Sequence, residues 1–324
     1  MNCLVWYCRG LGNPRTVREL GKIIRAKDPS VVFVAETWTD EVRLDQILRN
    51  IDFDNKWVVL REGRGGGLAL FWKSSVNLVV EDSSNYYIDT WIDKNKECEW
   101  RFIGFYSEPK TSRRGEAWDS LRSLNHHPNV PWLCVGDFNE LTRQDEKLGG
   151  AIRNHGQMQS FQNMLDECGF IDLGFVGPRF TWSKHFSDGH SIWERLDRDL
   201  ANNNWFHMFP GSRVHHPQCF VSDHCPLLIN MSGLDPFPTK KFFCFKEMWL
   251  SDERCTKIVE ATWSHHEFGI NDSNILRRVK SCGKELAWWN RNIFGKVRRE
   301  LEKKRAMLTQ AESATRILGS NHRV

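Results

Sequence analysis

The chain has 324 residues, 40% hydrophobic and 27% charged, with a formal net charge of +4. That length and apolar content are enough to bury a full core and exclude disorder as the main state. Ten cysteines without a Cys-x-x-Cys pair or regular spacing exclude a disulfide scaffold, and no apolar run approaches the ~20 residues of a membrane span. Met1 leads directly into a strand-like run with no charged-then-apolar leader, so the expectation is a soluble protein of a reducing, intracellular compartment.

Strand-like apolar runs appear at Cys3 to Trp6, Val31 to Ala35, Trp57 to Leu60, Leu68 to Trp72, Val76 to Val80, Tyr86 to Ile92 and Trp100 to Tyr106. Further ones lie at Trp132 to Val135, Phe180 to Ser183, Ile192 to Leu200 and Pro226 to Met231. Helical patterns fall between them at Thr16 to Lys27, Glu41 to Leu48, Gly115 to Leu124, and His155 to Cys168, the last closed by Gly169. Many strands interleaved with few helices predict two sheets face to face with helices outside.

Asp235-Pro236-Phe237-Pro238 breaks this pattern and ends the main body. The predicted organisation is a domain over 1–233, a linker over 234–272 and a basic amphipathic helical tail over 273–324. In the tail, Ile275, Val279, Cys282, Leu286, Trp289, Ile293, Val297 and Leu301 form one helix face that needs a partner surface, either the protein's own core or another chain or domain. Gly295 is placed to bend that helix. The tail carries thirteen Lys or Arg against four Glu, while the rest carries 32 basic against 37 acidic residues. An acidic body with a basic tail fits an enzyme that holds a cation on carboxylates and meets phosphates with its tail, and fits a solvated helix face as well.

Four polar clusters sit at or after these strands: Glu36-Thr37-Trp38, Gly136-Asp137-Phe138-Asn139, Arg195-Leu196-Asp197 and Ser222-Asp223-His224. Carboxylates converging at strand ends are how a metal-dependent hydrolase is usually built. Hydrolysis of a phosphodiester needs an activated water and positive charge on the non-bridging oxygens. Glu36 is the best single ligand for a hard cation, Mg²⁺ or Mn²⁺. Asp137 and Asn139, two residues apart in an extended segment, point the same way, so one can orient a water while the other steadies a phosphate; the pair also reads as an Asx turn. His224 can contact phosphate or act as a base, with Asp197 fixing its tautomer. His215, His216, Cys219, His224 and Cys225 lie close together in sequence, but their spacing matches no common structural zinc pattern.

Together with Tyr106, these strings resemble the endonuclease/exonuclease/phosphatase family, which includes exonuclease III and the apurinic endonucleases. Arg9-Gly10-Leu11-Gly12-Asn13-Pro14, Gly65-Gly66-Gly67-Leu68-Ala69, Glu194-Arg195-Leu196-Asp197-Arg198 and Ala201-Asn202 resemble, more narrowly, the endonuclease domain of plant LINE-type (non-LTR) retrotransposons. The segments Phe245 to Trp249 and Cys282 to Gly295 look like the connector that precedes reverse transcriptase there. The resemblance implies an α/β four-layer sandwich, two mixed sheets flanked by helices, and a Mg²⁺-dependent endonuclease, with Mn²⁺ as a substitute, that nicks DNA in the nucleus and leaves a 3′ hydroxyl for reverse transcription.

By matching positions, Glu36 and Asp223 would bind metal, Asp137 would activate water, Asn139 would hold the phosphate, and Tyr106 would contact the phosphate or leaving oxygen. His224, supported by Asp197, would stabilise the transition state. Arg9, Arg195, Lys296, Arg298 and Arg299 are the expected nucleic-acid contacts, and element RNA or a reverse transcriptase would be partners of the intact parent protein. One position departs from the pattern: where the family has an asparagine close to the metal, this chain has Tyr7, which lacks the amide. A catalytically dead nucleic-acid-binding remnant, and a phosphatase or deadenylase on the same fold, are the competing readings.

Overall fold

The computed structural model describes residues 1–60, 66–127, 129–217, 219, 221–232, 245, 249–250, 252–264, 272–294, 303–304, 307–308 and 310. The chain divides into two compact units, Met1–Pro236 and Phe237–Val324.

In the first unit the strands are β1 (Asn2–Tyr7), β2 (Val31–Ala35), β3 (Asn55–Val59), β4 (Leu68–Trp72), β5 (Leu78–Ser83), β6 (Tyr87–Ile92), β7 (Trp100–Tyr106) and β8 (Trp132–Asp137). They continue as β9 (Lys147–Leu148), β10 (Ile171–Asp172), β11 (Trp182–His185), β12 (Ser191–Glu194), β13 (Asp197–Ala201), β14 (Arg213–His215) and β15 (Leu227–Asn230). The helices are α1 (Pro14–Lys27), α2 (Glu41–Ile51), α3 (Arg114–Ser123), α4 (His155–Glu167) and α5 (Asn203–Met208). Short polar side chains start them: Asn13, Asp40, Asn154 and Asn202 each accept a hydrogen bond from a backbone N–H of the first turn, and Pro14 opens α1.

Among the described residues the strands form two six-stranded sheets, ordered β14-β15-β1-β2-β4-β3 and β10-β13-β8-β7-β6-β5, and a small ribbon β11-β12-β9. The alternation along β1 shows how they stack. Cys3, Val5 and Tyr7 face the space between the sheets, where Phe33, Leu70, Ile88, Phe102, Tyr106, Val135 and Ile229 also lie. Leu4, Trp6 and Cys8 face outward, against a layer that includes Leu20 and Ile24 of α1 and Leu44 and Ile47 of α2. On the far side Trp118 and Leu121 of α3 and Phe161 and Met164 of α4 cover Ile103, Phe105, Cys134 and Leu200. Sheets covered on both faces explain why the central strands read as continuous apolar runs. The result is the α/β/β/α sandwich that the sequence implied.

Three features were not legible in the sequence. The strands β9, β10 and β14 have only two or three residues, too few for a period. The run Ile192 to Leu200 is two strands in different sheets, because Leu196 N–H and Asp197 N–H both donate to Thr181 Oγ1 and the chain turns there. Within the span expected to be a linker lies a helix, α6 (Glu253–Ser264).

In the second unit Cys282, Leu286 and Trp289 of α7 (Asp272–Trp289) bury against Trp249 and Cys255, so part of the predicted stripe has its partner within this unit. A π-helical turn, Asn290–Phe294, follows α7. Of the remaining stripe residues Val279 and Ile293 are exposed, while the side chain of Ile275, and Gly295, Val297 and Leu301, lie outside what the structure describes. No helix of the described residues is long and apolar enough to cross a membrane.

The two sheets approach closely where Gly104 of β7 meets Phe33 of β2: a Cβ on Gly104 would lie 2.2 Å from the ring. Gly104→Ala is therefore expected to destabilise the domain by about 1–3 kcal/mol through overpacking. Gly115→Ala in α3, where a Cβ meets nothing within 4 Å, is expected to be neutral or to stabilise by about 0.5 kcal/mol. Urea unfolding curves check both, and equal midpoints for the two variants would contradict the close approach.

Candidate active site

Strand register gathers the site. β7 and β8 are parallel with Tyr106 opposite Asp137, and β13 runs antiparallel to β8 with Asp197 opposite the same Asp137, so the three residues form one row across the second sheet. In the first sheet β1 and β2 are parallel with Tyr7 opposite Ala35, which places Glu36 one step beyond. The turn before β15 carries Ser222, Asp223 and His224. It is pinned onto β1, as Ser222 Oγ donates to the Tyr7 carbonyl at 2.7 Å and Trp6 Nε1 donates to the His224 carbonyl at 3.2 Å.

His224 and Asp197 are both buried, with His224 Nδ1 2.9 Å from Asp197 Oδ2 and 3.1 Å from Oδ1. Because a carboxylate only accepts, Nδ1 carries the proton and Nε2 faces Asp137 Oδ2 at 3.9 Å. Burial alone would lower the imidazole's pKa, but the charge of Asp197, reinforced by Asp137 and Asp223, overrides it and raises the value to about 10. Asp137 is pushed up to about 7, first by burial and then by the charge of Asp197, with Glu36 adding to the rise and His224 opposing it.

Asn139 has a left-handed backbone, φ 55°, that folds the chain back over Asp137. Its N–H donates to Asp137 Oδ1 at 2.8 Å, and its Nδ2 donates to Asp137 Oδ2 and to the Ser107 carbonyl, each at 3.0 Å. Both amide hydrogens are thus used within the protein, and Asn139 clamps Asp137. Tyr106 donates to Glu36 Oε1 at 2.6 Å, so it orients this carboxylate.

Tyr7 is fully buried beneath these groups. Its hydroxyl donates to the Phe105 carbonyl at 2.6 Å and accepts the N–H of Asp137, tying β1 of one sheet to β7 and β8 of the other. Its ring lies 5.7 Å from that of Tyr106 and 5.4 Å from that of His224. Gly136 leaves room for it, since a Cβ there would come 2.9 Å from the phenol oxygen. Burial and the charges of Asp197 and Asp137 hold the phenol's pKa well above its ordinary value, so it stays protonated.

The remaining expected residues fall as follows. Asp223 Oδ2 accepts from Arg9 Nη1 at 2.7 Å and from Trp182 Nε1 at 3.0 Å. Arg195 is turned away into a buried ion cluster: it pairs with Glu146 Oε1 at 3.2 Å and Asp172 Oδ1 at 2.7 Å, beside Arg198, which pairs with the same two acids. The structure thus places Arg195, expected as a nucleic-acid contact, in a buried position where its guanidinium is paired with Glu146 and Asp172. Lys296, Arg298 and Arg299 lie outside the described residues. Among the histidines near Cys219, His216 donates through Nδ1 to the Pro178 carbonyl at 2.8 Å and stacks on Phe175. Thr181, whose hydroxyl holds the start of β13, and Ser107, whose backbone carbonyl accepts from Asn139, carry no signal of these partners in the sequence.

Asp137, Asp197 and His224 present ligand atoms within 4.8 Å of one another, a group that could hold a metal ion. Nδ1 and Asp197 are already joined there, so a cation on all three would have to break the pair. A hard cation fits the outer carboxylates better. Burial, and after it the negative charges of Asp197 and Glu36, raise the Asp137 pKa, and a divalent cation beside Glu36 would offset the repulsive part. Tyr7 does not fit as a ligand, because its hydroxyl is already used both as donor and as acceptor.

The sequence model of the endonuclease/exonuclease/phosphatase family matches residues 3–224. None of the curated proteins matches the chain by sequence. Among solved structures, the endonuclease domain of TRAS1, a telomere-specific non-LTR retrotransposon, is similar with TM-score 0.53 and 13% identity over 71% of this chain and 97% of that one. The AP endonuclease LMAP from Leishmania major gives 0.55 and 15% over 70% and 86%. A variant of the 3′ phosphatase NExo from Neisseria, bound to a product DNA hairpin, gives 0.54 and 16% over 71% and 98%. These likenesses establish the fold, and the family match over most of the first unit establishes membership: the chain belongs to the endonuclease/exonuclease/phosphatase family.

Proposed function

We propose that the chain is a divalent-metal-dependent DNA endonuclease of the LINE retrotransposon type, nicking one strand to leave a 3′ hydroxyl. The observation that carries this reading is the buried His224–Asp197 pair facing Asp137 at the strand ends, with Glu36 held by Tyr106 at the same edge. The narrower strings, from Arg9 to Pro14 and from Glu194 to Arg198, support a plant LINE origin and work in the nucleus, as does a fold shared with a non-LTR retrotransposon endonuclease.

In this reading Asp137, lifted to about 7, takes the proton of an attacking water near neutral pH, while Asn139 holds the carboxylate in position. The water oxygen bonds to phosphorus, the P–O3′ bond breaks with its electron pair on O3′, and O3′ takes a proton from solvent to become the 3′ hydroxyl, with the 5′ phosphate on the other fragment. His224 keeps its proton at neutral pH and donates through Nε2 to a phosphoryl oxygen as negative charge grows there. Mg²⁺, or Mn²⁺ in its place, would add positive charge at the same oxygens, held by Glu36 and by Asp223 once Arg9 has released it.

Tyr7 favours a second reading, a DNA-binding remnant with an inactivated site. Losing a supporting ligand of a metal commonly lowers affinity or activity by about 10- to 100-fold. The two readings separate in a plasmid assay. With Mg²⁺ the full chain is expected to nick supercoiled DNA, with EDTA stopping the reaction and His224→Ala slowing it by on the order of 10²- to 10⁴-fold. Tyr7→Asn is expected to raise the rate about 10- to 100-fold. The same variant should lower stability by about 3 kcal/mol in thermal unfolding, because it opens a cavity and strands the Phe105 carbonyl. Turnover by Tyr7→Asn alone would establish an inactivated copy; salt-sensitive DNA binding without nicking by any variant would contradict the nuclease.

A further inference from the structure

We propose that Trp38 is a stacking platform for an unpaired nucleobase of the DNA strand beside the phosphate that the site attacks; this rests on the nuclease reading above. Trp38 stands two residues after Glu36, and its side chain is 46% exposed. Its backbone is left-handed, φ 44°, a conformation that a bulky residue rarely adopts; among the described residues no other exposed tryptophan has it.

The turn is locked in that shape from two sides. Thr37 N–H donates to the Gly67 carbonyl at 3.3 Å and Trp38 N–H to the Gly66 carbonyl at 3.2 Å, while Gly10 N–H and Leu11 N–H donate to the carbonyls of Glu36 and Thr37, each at 2.8 Å. Gly10, at φ 104°, passes so close beneath the indole that a Cβ there would lie 3.3 Å from Cε3. The Arg9 guanidinium sits 5.8 Å from the ring centroid and binds Asp223, so the indole is held between the Glu36 turn and the Asp223–His224 turn.

Trp38 remains 46% exposed beside Gly10 and Arg9, so a large aromatic side chain is presented to solvent on backbone that disfavours it. Strained backbone that burial does not repay marks functional positions. A half-exposed aromatic ring beside a cation, next to an anion-handling site, is an arrangement that proteins use to stack bases of a single strand. A base within an intact duplex is stacked on its neighbours and paired, so the ligand is a base freed by a bubble, a mismatch or a strand end.

The test uses the full chain in EDTA, which separates binding from turnover, and fluorescein-labelled DNA carrying 2-aminopurine either in a bubble or in a full duplex. The native chain is expected to bind the bubble more tightly and to quench the 2-aminopurine. Trp38→Ala should weaken bubble binding by on the order of tenfold, abolish the quench and leave duplex binding unchanged, while Trp38→Phe restores part of both. The salt dependence should keep its slope in Trp38→Ala, because no charge is lost, and thermal unfolding of each variant confirms that the fold is retained. Unchanged affinity and quench in Trp38→Ala, while the native chain binds DNA, would overturn the platform alone. Failure of the native chain to bind either DNA would overturn both the platform and the nuclease.

Discussion

Three ionisable side chains, Asp137, Asp197 and His224, are buried within reach of one another at the strand ends, and balancing their charges there is the constraint on which the site depends. Two carboxylates alone would repel each other and protonate; an imidazolium between them makes the cluster tolerable, and its pair with Asp197 is the result. Removing either partner of such a buried pair commonly costs about 3–5 kcal/mol, so the dyad is also a structural joint between β13 and the turn before β15. The surrounding hydrogen bonds serve the same end. Thr181 fixes the start of β13, Ser222 and Trp6 fix the histidine turn, and Asn139 fixes Asp137.

Tyr7 changes how this arrangement is assembled. Its hydroxyl bridges the two sheets, donating to Phe105 and accepting from Asp137, so the backbone behind the site is braced by the protein's own atoms. The resemblance implies an amide at this position, and the phenol that stands there holds the backbone of both sheets instead. Around it Glu36 accepts from Tyr106, Asp223 pairs with Arg9, and Trp38 lies beside Arg9.

Much of this was legible in the sequence. The runs that became β1, β2, β7 and β8 are buried on both faces, and continuous apolar stretches cannot be mistaken when polar residues stand at their ends. The polar residues gathered at the edge were named from those positions. What stayed hidden was partnership. Arg195 stands beside Leu196 and Asp197 in a string that reads as part of a nuclease site, yet its acids come from Glu146 and Asp172, far along the chain. Asn139 and Tyr7 could be located in the sequence, but the acceptors that occupy the amide and the phenol are backbone carbonyls, which no sequence pattern displays.

The charge of His224 is the most direct gauge of the buried cluster. Its value of about 10 lies above the ordinary 6.5, so the stability contributed by the imidazolium is complete below 6.5 and is lost as the pH rises toward 10. Nitrogen-15 NMR of the full chain in EDTA, with His224 assigned by comparison with His224→Ala, follows the ring directly. An imidazolium that persists through pH 8 and reverts toward ordinary titration in Asp197→Asn is the result required by a dyad buried against Asp137. Titration of the native ring near 6.5, unchanged by Asp197→Asn, would contradict it.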